Sequence, residues 1–600
     1  MTPRRLASAI FLAAACALAA GPVASASSGS GSGSTLRIEA DTSFNTFNPF
    51  TAYYQADLDV LQVIYPTLTQ TGQDGSPVPY LATSWSISAD HLTWTFKIRQ
   101  GLKWTDGTPI TASDVAWTYN LIMTSQAAAT ANGSLVQNFA SVSAPNASTF
   151  VVRTKQPQDN VPYIAPLIPI VPQHIWQNEV KNIGTFKNMT FPVVGYGPWV
   201  ATGYAPNQYA TLTANSAYYQ GAPKYHTLII QYFTSSDAAV AALRSGQLDS
   251  IDDLTPTQYD SLKGAKDVSL YPSESNSWDA IELNPGARTL SGQKFGNGNP
   301  ALQDPVVRQA IALAINRNEL VTKVDDGLAV AGGGFLTPAF PQWWWKPPAN
   351  DNDNYDPAKA NQILTAAGYK MGPNGVRIDP KTGQPLAFRL GIHSDNGDDA
   401  LTAPYLVDWL QAIGIKLTVQ AMSFTQLNTD LPKGDWDILM DGWATGYDPS
   451  YLLSIESCGT LPTNQSTPGN TDAFYCNPAY DKLYDQQLTE FDLTQRTQTV
   501  DQMQSILYNA NVDVILYYPD TLQAVRTTDT SNFFFGKKNG QGFYPQQNVW
   551  INWASATPVA AAGGSSDTGL YIGVAVAVVV VLGGGGFIAM RRRSTAGERE

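Results

Sequence analysis

Residues 92–119 constrain the fold of this 600-residue chain more than any other stretch. Apolar and polar residues alternate over 92–98, and a period of two predicts a half-buried strand. The Asp-Gly pair at 106–107 is a turn dipeptide, because glycine tolerates a positive φ. Thr111 stands three residues before Asp114, so its hydroxyl can cap a helix whose first-turn amides face the carboxylate. The stretch therefore predicts a strand, a turn and a capped helix of an α/β protein.

Three further patterns predict regular elements in the C-terminal half. Asp304-Pro305 is an N-cap followed by proline at the first helical position, which predicts a helix start. Residues 405–412 have the composition of a helix, and the apolar run at 512–518 predicts a strand. Arg308, in the first of these helices, is expected to pack between helices or to form an ion pair.

Composition excludes several function classes. Charged residues make up only 14% of the chain and the net charge is −13, whereas nucleic-acid binding needs clustered Lys and Arg. No Cys/His spacing predicts a metal site, and we expect no cofactor. Nucleophile-elbow and zinc-protease signatures are absent from the sequence, so it predicts a protein that is not an enzyme.

The first 26 residues predict an export signal. Two arginines precede an apolar stretch at 6–20, and Ala24-Ser25-Ala26 offers small residues at a cleavage site. Cys16 leaves lipoprotein processing open as an alternative. A Gly/Ser linker at 27–34 follows the signal.

The other end predicts a membrane anchor. Residues 570–590 carry no charge and are long enough for the ~20 residues of a spanning helix. Three arginines follow at 591–593, which places the tail 591–600 in the cytoplasm and the body outside, in a single-pass cell-membrane protein. Cell-wall sorting is an alternative, because Asp567-Thr568-Gly569 precedes the apolar run.

Two cysteines remain in the exported body. Cys458 and Cys476 are expected to form a disulfide, the default state outside the cytoplasm. It would close a polar loop and stabilise the fold by about 3 kcal/mol in the chain-entropy model.

Three segments, 92–119, 304–321 and 441–449, resemble the family 5 extracellular solute-binding proteins, the oligopeptide- and dipeptide-binding receptors of ABC importers. The resemblance extends from about residue 35 to 553. It implies an α/β, two-lobed periplasmic-binding-protein fold of type II topology with an extra inserted domain, to which the predicted C-terminal transmembrane helix is added. It also implies hinged capture of a solute by a monomer, which then docks on permease subunits with cytoplasmic ATPases.

The resemblance also implies that the chain crosses between lobes twice, near 270–283 and near 514–525. The predicted domains are the signal peptide 1–26, the linker 27–34, lobe 1 at 35–64, its inserted domain at 65–190, more of lobe 1 at 191–275, lobe 2 at 276–513, the return to lobe 1 at 514–555, a stalk at 556–569, the transmembrane helix 570–590 and the tail 591–600.

Two of the predicted ligand-binding groups lie outside the last family-like segment. Tyr53 and Tyr54 are adjacent tyrosines in a loop after Asn48-Pro49, where one or both could meet a ligand in the cleft. Trp278 begins a predicted crossover strand. It would contact the ligand or pack at the hinge.

The third group is the segment 441–449, DGWATGYDP. The resemblance implies that Trp443 stacks along the ligand and that Tyr447 lies beside it. In peptide-binding members an aspartate three residues after the tryptophan pairs with the ligand's amino terminus, but Gly446 stands there. Asp448 resembles the acid of an Asp-Pro step that caps the next helix, although it or Asp441 could replace the missing carboxylate.

The ligand class therefore stays open between a peptide and an oligosaccharide. Trp343, Trp344 and Trp345 are consecutive, and we expect at least one to be exposed and able to stack on a sugar. A further alternative is an anchored sensor or adhesion receptor that does not transport.

Overall fold

The computed structural model describes residues 34–40, 44–52, 55–72, 75–233, 235–274, 276–348, 355–394, 396–464, 469, 471–528, 530–532 and 553–559. The predicted signal peptide and the predicted transmembrane helix at 570–590 both lie outside the described residues. Within the described ranges, no helix has both the length and the apolar character that a membrane span requires.

In chain order, the strands are β1 Thr35–Ala40, β2 Thr69–Thr71, β3 Pro77–Pro79, β4 Ala82–Ile87, β5 Thr93–Ile98, β6 Phe139–Asn146, β7 Thr149–Thr154, β8 Trp199–Ala205, β9 Tyr209–Ala214, β10 Thr227–Tyr232, β11 Ser250–Ile251, β12 Val268–Glu274, β13 Ser277–Leu283, β14 Ala329–Ala331, β15 Lys370–Met371, β16 Arg377–Ile378, β17 Ala387–His393, β18 Lys416–Met422, β19 Ile438–Ala444, β20 Asp513–Arg526, β21 Thr530–Ser531 and β22 Thr557–Pro558.

The α-helices are α1 Gln55–Ile64, α2 Ala112–Thr124, α3 Ala129–Asn132, α4 Val161–Ile164, α5 Gln173–Trp176, α6 Ser236–Ser245, α7 Pro256–Leu262, α8 Pro305–Ala314, α9 Arg317–Lys323, α10 Pro357–Ala366, α11 Gly397–Ala412, α12 Phe424–Asp430, α13 Ser450–Ser454, α14 Pro478–Thr489 and α15 Leu493–Ala510.

One large sheet runs through both lobes, in the order β18-β17-β19-β13-β20-β11-β1-β10-β9-β8. The long strand β20 joins its two parts. Near its start β20 pairs with β13, and from Asp520 to Arg526 it pairs with β12. Because β12 and β13 follow one another in the chain, the polypeptide passes between the two parts through the β12–β13 segment and through β20.

Each part has its own apolar core. The largest core joins α1, α2 and the strands from β1 to β10. Two others lie on β13, β17, β19 and the start of β20, one of them beneath α8 and α11 and the other beneath α14 and α15. We call the first part lobe 1, comprising the described residues up to 274 with the second half of β20, and the second part lobe 2, from 276 to 517.

The segment 92–119 lies in lobe 1, and the structure confirms the strand and the capped helix predicted for it. Strand β5 buries Trp94, Phe96 and Ile98 in a four-stranded sheet of order β4-β5-β7-β6. Helix α2 begins with a capping box, in which Thr111 accepts from a first-turn amide and the backbone N–H of Thr111 donates to Asp114 at 2.9 Å. This segment builds a core.

The elements of the C-terminal half differ from their predictions mainly in length. The helix expected at 405–412 is α11, which begins eight residues earlier, at Gly397, and contains Pro404. The strand expected at 512–518 continues to Arg526, because β20 finds a partner in each lobe. Arg308 packs on neighbouring elements and donates to the carbonyls of Leu302 and Ala510, rather than forming an ion pair.

Candidate functional site

The predicted ligand tryptophans meet on two adjacent strands of lobe 2. Strands β13 and β19 pair antiparallel, which places Trp278 directly opposite Trp443 and Ala280 opposite Asp441. Opposed residues in such a pair share a face of the sheet. Gly442 makes the close pairing possible, because a Cβ on it would lie 2.6 Å from the carbonyl oxygen of Trp278.

The two tryptophans differ in exposure. Trp278 is 1% exposed, and its ring packs on Phe335 at 5.3 Å in the core beneath α15. Trp443 is half-buried and lies beside Tyr451, between the exposed residues Gly442 and Ala444. Of the two, Trp443 is the side chain that a solute could reach, whereas a contact between ligand and Trp278 would require the core to open.

Tyr53 and Tyr54 lie outside the described residues, so their predicted role stays a prediction. Gly446 lies in the turn after β19 and is half-buried. The turn is fixed by Asn276 at the β12–β13 junction, which accepts from the amide of Thr445 and donates to its carbonyl. The turn is thereby attached to one of the two segments that join the lobes.

Tyr447 and Asp448 face lobe 1. The ring of Tyr447 lies 4.9 Å from that of Phe340 and fills the space beside Gly75 in the β2–β3 turn of lobe 1, where a Cβ would lie 2.5 Å from Cδ1 of Tyr447. Asp448 accepts from Nδ2 of Asn160, also in lobe 1, at 2.9 Å. The side chains of both predicted ligand residues thus contact lobe 1 directly.

Arg496 of α15 is the cation that Asp448 pairs with. Its Nη2 lies 2.7 Å from Oδ2 of Asp448 and its Nη1 lies 2.9 Å from Oδ2 of Asp159 in lobe 1. Arg496 also donates to Ser450 and its side chain is only 2% exposed. We call Arg496, Asp159, Asn160, Asp448 and Ser450 the Arg496 network.

The two carboxylates of this network have opposite pKa shifts. Burial favours the neutral acid at both. It raises the pKa of Asp159 to about 7, since Arg496 offsets only part of its effect. At Asp448 burial is outweighed by Arg496 and by hydrogen bonds from Asn160 and Ser450, and the pKa lies below its ordinary value. Asp448 is therefore a carboxylate whose charge is already neutralised, and a ligand ammonium would have to compete with Arg496 for it.

A second group of acids surrounds Glu282, which lies on the same face of β13 as Trp278 and Ala280. Glu282 and Asp513 are directly opposite each other on β13 and β20, and Glu456 and Asp472 are close enough for their charges to repel that of Glu282. All four are at most 8% exposed. We call these four residues the carboxyl cluster.

The carboxyl cluster has no compensating cation among the residues that the structure describes. Neither carboxylate oxygen of Glu282, Glu456 or Asp513 has a hydrogen-bond partner there. Burial and mutual repulsion raise the pKa of Glu282 well above its ordinary value, and raise that of Asp513 to about 7. Nor do the described residues contain a group of acids and histidines arranged to hold a metal ion. The cluster adjoins Asp441, whose pKa burial raises to about 6.

The triple tryptophan does not form an exposed platform. Trp343 is 2% exposed, lies with its ring 5.0 Å from the Arg496 guanidinium and donates from Nε1 to the carbonyl of Tyr447. Trp344 and Trp345 are half-buried against Tyr518 and Tyr508. The expectation that at least one of the three is exposed is wrong, because each indole finds an aromatic or cationic neighbour in lobe 2.

The loop that carries Asp472 is closed by a disulfide. The structure joins Cys458 to Cys476 across a sequence separation of 18. The amide of Cys458 donates to Asp481 of α14, which fixes one end of the loop on that helix. The disulfide therefore holds Asp472 beside the strands that carry Glu282 and Asp513.

Sequence reasoning missed Arg496, Asp159 and the carboxyl cluster. The sequence does contain a signal for Arg496, because it shares one helical face with the apolar residues Val500, Met503 and Leu507. A charged residue on an apolar face indicates a buried, paired charge. Glu282 follows the apolar residues Ala280 and Ile281 of β13 in the same way.

Comparison with known proteins agrees with this architecture. The family model described as bacterial extracellular solute-binding proteins, family 5 Middle, matches residues 76–460. Oligopeptide-binding protein AppA of Bacillus subtilis is 26% identical over 491 residues, covering 80% of this chain and 85% of the relative. Protein XP55 of Streptomyces lividans is 28% identical over 403 residues, covering 66% of this chain and 68% of the relative.

Solved structures show the same fold. AppA from Bacillus subtilis in complex with a nonapeptide superimposes with a TM-score of 0.72 at 22% identity, covering 88% of this chain and 99% of that one. NikZ from Campylobacter jejuni in complex with Ni(L-His) gives a TM-score of 0.73 at 21% identity, covering 87% and 99%. With a family match over well over half of its length and this two-lobed α/β fold, the chain belongs to the bacterial extracellular solute-binding proteins of family 5.

Proposed function

We propose that this protein captures a peptide between its two lobes outside the cell and delivers it to the permease of an ABC importer. The observation that carries the proposal is the position of Trp443, which is half-buried on β19 beside the β12–β13 segment that joins the lobes. A relative named as an oligopeptide-binding protein, and a nonapeptide complex of the same fold, support a peptide as the ligand.

The proposed mechanism is hinge closure. The lobes are connected by β12–β13 and β20, so small backbone changes at the two crossings would rotate one lobe relative to the other. A ligand shifts that equilibrium only to the extent that it binds the closed form better than the open form. Contacts that reach Trp443 of lobe 2 and lobe 1 at the same time would provide this difference.

A solute without a free amino group, such as an oligosaccharide, is the second candidate. The observation that favours it is that Gly446 supplies no carboxylate and Asp448 is already paired with Arg496. The fold itself accommodates other ligand chemistry, since NikZ was solved with Ni(L-His) and AgaA with agropinic acid.

We also propose that the protein is exported and retained as a single-pass membrane protein with the body outside. The charge-free run at 570–590 followed by three arginines supports this orientation. The class of binding receptor, together with the absence of catalytic signatures in the sequence, supports a protein that is not an enzyme.

A binding experiment with the full-length chain tests the proposed ligand. Thermal unfolding is followed with tri- to nonapeptides and with oligosaccharides, because a ligand that binds only the folded form raises the apparent Tm. Peptides are expected to raise it and oligosaccharides to leave it unchanged. The reverse result would replace the peptide with the second candidate.

Trp443→Ala locates the site once a ligand is known. We expect it to weaken binding roughly tenfold or more, because an aromatic contact buried by the ligand is lost. Trp345→Ala is the matched control, since Trp345 is also half-buried in lobe 2 but packs on Tyr508 of α15. Equal affinities of the two variants would move the ligand site away from β19.

A further inference from the structure

Two segments that are distant in the chain are held together by one guanidinium. Arg496 belongs to α15, whose apolar residues lie in a lobe 2 core, while Asp159 and Asn160 directly precede α4, which packs in the lobe 1 core. The two residues that Arg496 bridges are Asp159 and Asp448, 289 positions apart. Neither of the strands that connect the lobes covalently contributes a side chain to this contact.

Both lobes contribute buried side chains to this contact, and the side chains are almost completely shielded from solvent. Arg496 and Asp448 are 2% and 7% exposed at their side chains, and Asp159 is 12% exposed. Nε of Arg496 donates to Gln487 at 3.0 Å, and Gln158 positions Asn160 through a 2.7 Å hydrogen bond to its side-chain oxygen. A planar guanidinium with several fixed acceptors loses little freedom on pairing, so it can hold two elements in one arrangement.

Two neighbouring contacts also join lobe 1 to lobe 2. The amide of Asp159 donates to the carbonyl of Leu488, at the end of α14. His91, in the β4–β5 turn of lobe 1, lies 4.1 Å from the ring of Phe491 in lobe 2. The end of α14 and the α14–α15 connection, both just before Arg496 in the chain, therefore also lie against lobe 1.

We propose that Arg496 is a closure latch that fastens lobe 1 to lobe 2 without any charge supplied by the ligand. On lobe opening, Asp159 and Asn160 separate from Arg496 and Asp448, while Arg496 keeps its bond to Asp448 within lobe 2. The latch adds a closing contact to the proposed capture of a solute between the lobes. It depends on that proposed function only for the reason why the lobes close. It makes Arg496 and Asp159 positioning residues for closure and leaves Asp448 unavailable to a ligand ammonium.

Its consequence for specificity follows from charge balance. A ligand that closes the lobes need not bring a positive group to this boundary, because Arg496 already occupies the space between the two carboxylates. An N-acetylated peptide should therefore bind about as well as the free peptide. Requiring an ammonium at Asp448 would instead mean displacing a buried guanidinium.

The test measures the distance between the lobes in the ligand-free, full-length protein. Spin labels are attached through non-canonical amino acids at Lys181 in lobe 1 and Lys370 in lobe 2, both exposed, so that the disulfide stays intact. Wild type is expected to show a substantial short-distance population. Asp159→Ala should lower the ratio of short to long distances roughly tenfold or more, because one arm of a buried, charge-assisted pair is lost.

Asp159→Ala is chosen because it leaves Arg496 and Asp448 paired one to one, so lobe 2 keeps a neutral interior. Asp260→Ala is the matched control, since it removes an exposed lobe 1 carboxylate that pairs with Lys263 of the same lobe. If Asp159→Ala and Asp260→Ala both keep the wild-type distances, the latch is overturned. A wild type that is entirely open without ligand overturns it as well.

Because no ligand is present, this result is independent of whether peptides bind. Titration with Ala-Ala-Ala and its N-acetyl form then tests specificity. Affinities that agree within about threefold support the latch. A loss of more than about thirtyfold on acetylation would show that the ligand must supply the charge, which contradicts it.

Discussion

The Arg496 network, between the lobes, and the carboxyl cluster, within lobe 2, differ in whether a cation accompanies the buried carboxyl groups. In the Arg496 network, one guanidinium lies between two acids and every arm of it has an acceptor. In the carboxyl cluster, Glu282 and Asp513 face each other across two strands, and neither has a hydrogen-bond partner among the described residues. Burial of a charge is tolerated only when it is paired or when the group becomes neutral.

The two groups are therefore stabilised by different means and should respond oppositely to substitution. The network needs its charges, because removing one leaves another uncompensated in a dry environment. The cluster keeps its acids by taking up protons, since burial raises their pKa values. Replacing an acid by a neutral side chain should therefore damage the first group and relieve the second.

The largest effect is expected for Arg496→Met, which keeps an unbranched apolar side chain and removes the guanidinium with its charge. Asp448 and Asp159 would remain close together with no cation, and breaking a buried pair in this way costs about 3–5 kcal/mol. Urea unfolding followed by tryptophan fluorescence measures the loss. A loss below about 1 kcal/mol would mean that the network contributes little, and the double variant Arg496→Met with Asp448→Asn should recover part of it.

A smaller effect of opposite sign is expected for Asp513→Asn. At pH 8 the wild-type carboxyl, whose pKa burial and Asp441 raise to about 7, is largely ionised in a buried environment. The isosteric amide removes that charge, so the free energy of unfolding should rise by roughly 1–3 kcal/mol. Asp435→Asn, an exposed acid that precedes β19, serves as the control and should change it little. Destabilisation by Asp513→Asn would show that the cluster uses its negative charge.

The pH dependence of stability reports on the protonation of the carboxyl cluster. Folding raises the pKa of Asp513 from its ordinary value of 3.8 to about 7, so between these limits the folded protein binds more protons than the unfolded chain. Stability should then fall as pH rises from 5 to 7, by about 1.4 kcal/mol per pH unit for this carboxyl. Thermal unfolding at four pH values measures the slope, which should be shallower in Asp513→Asn. A flat or rising profile would contradict it.

Acidification should act in the opposite direction on Asp448 of the Arg496 network, whereas Asp159, whose pKa is raised to about 7, responds like the cluster acids. Because the folded pKa of Asp448 is below its ordinary value, this residue contributes stability above pH 3.8 that is lost as pH falls through the lowered pKa. The protein should therefore be most stable at mildly acidic pH. Asp448 sets the acidic limit of that range, and the acids with raised pKa values set the other limit.

The sequence predicts what depends on neighbours in the chain and misses what depends on distant ones. The capping box of Thr111 and Asp114 is local, as is the N-cap at Asp304, and both are confirmed. Arg496 meets Asp159 only because lobe 1 and lobe 2 fold against each other, and no spacing encodes that contact. The burial of Trp343 arises in the same way, from Arg496 and the carbonyl of Tyr447.

The family-like segment 441–449 shows both outcomes within nine residues. Its first half lies in β19, and there the pairing of Trp443 with Trp278 follows from strand register. Its second half leaves the sheet, and Tyr447 and Asp448 face lobe 1, where Gly75 and Asn160 occupy them. The sequence motif alone predicts that both halves contact the ligand. In the folded protein the half with Trp443 is accessible to a solute, whereas the half with Tyr447 and Asp448 contacts lobe 1.

The smallest effect is expected for Lys433→Gln, which isolates burial as the variable. Nζ of Lys433 lies 2.7 Å from Oδ1 of Asp430, the same separation as between Arg496 and Asp448, but the two side chains are 51% and 33% exposed. Water screens the pair and both side chains lose freedom in forming it, so its removal should cost only roughly 0.2–1 kcal/mol. Urea unfolding under the conditions used for Arg496→Met gives the comparison. If the two substitutions cost the same, the distance between the charges, and not their removal from water, would determine the strength of the network.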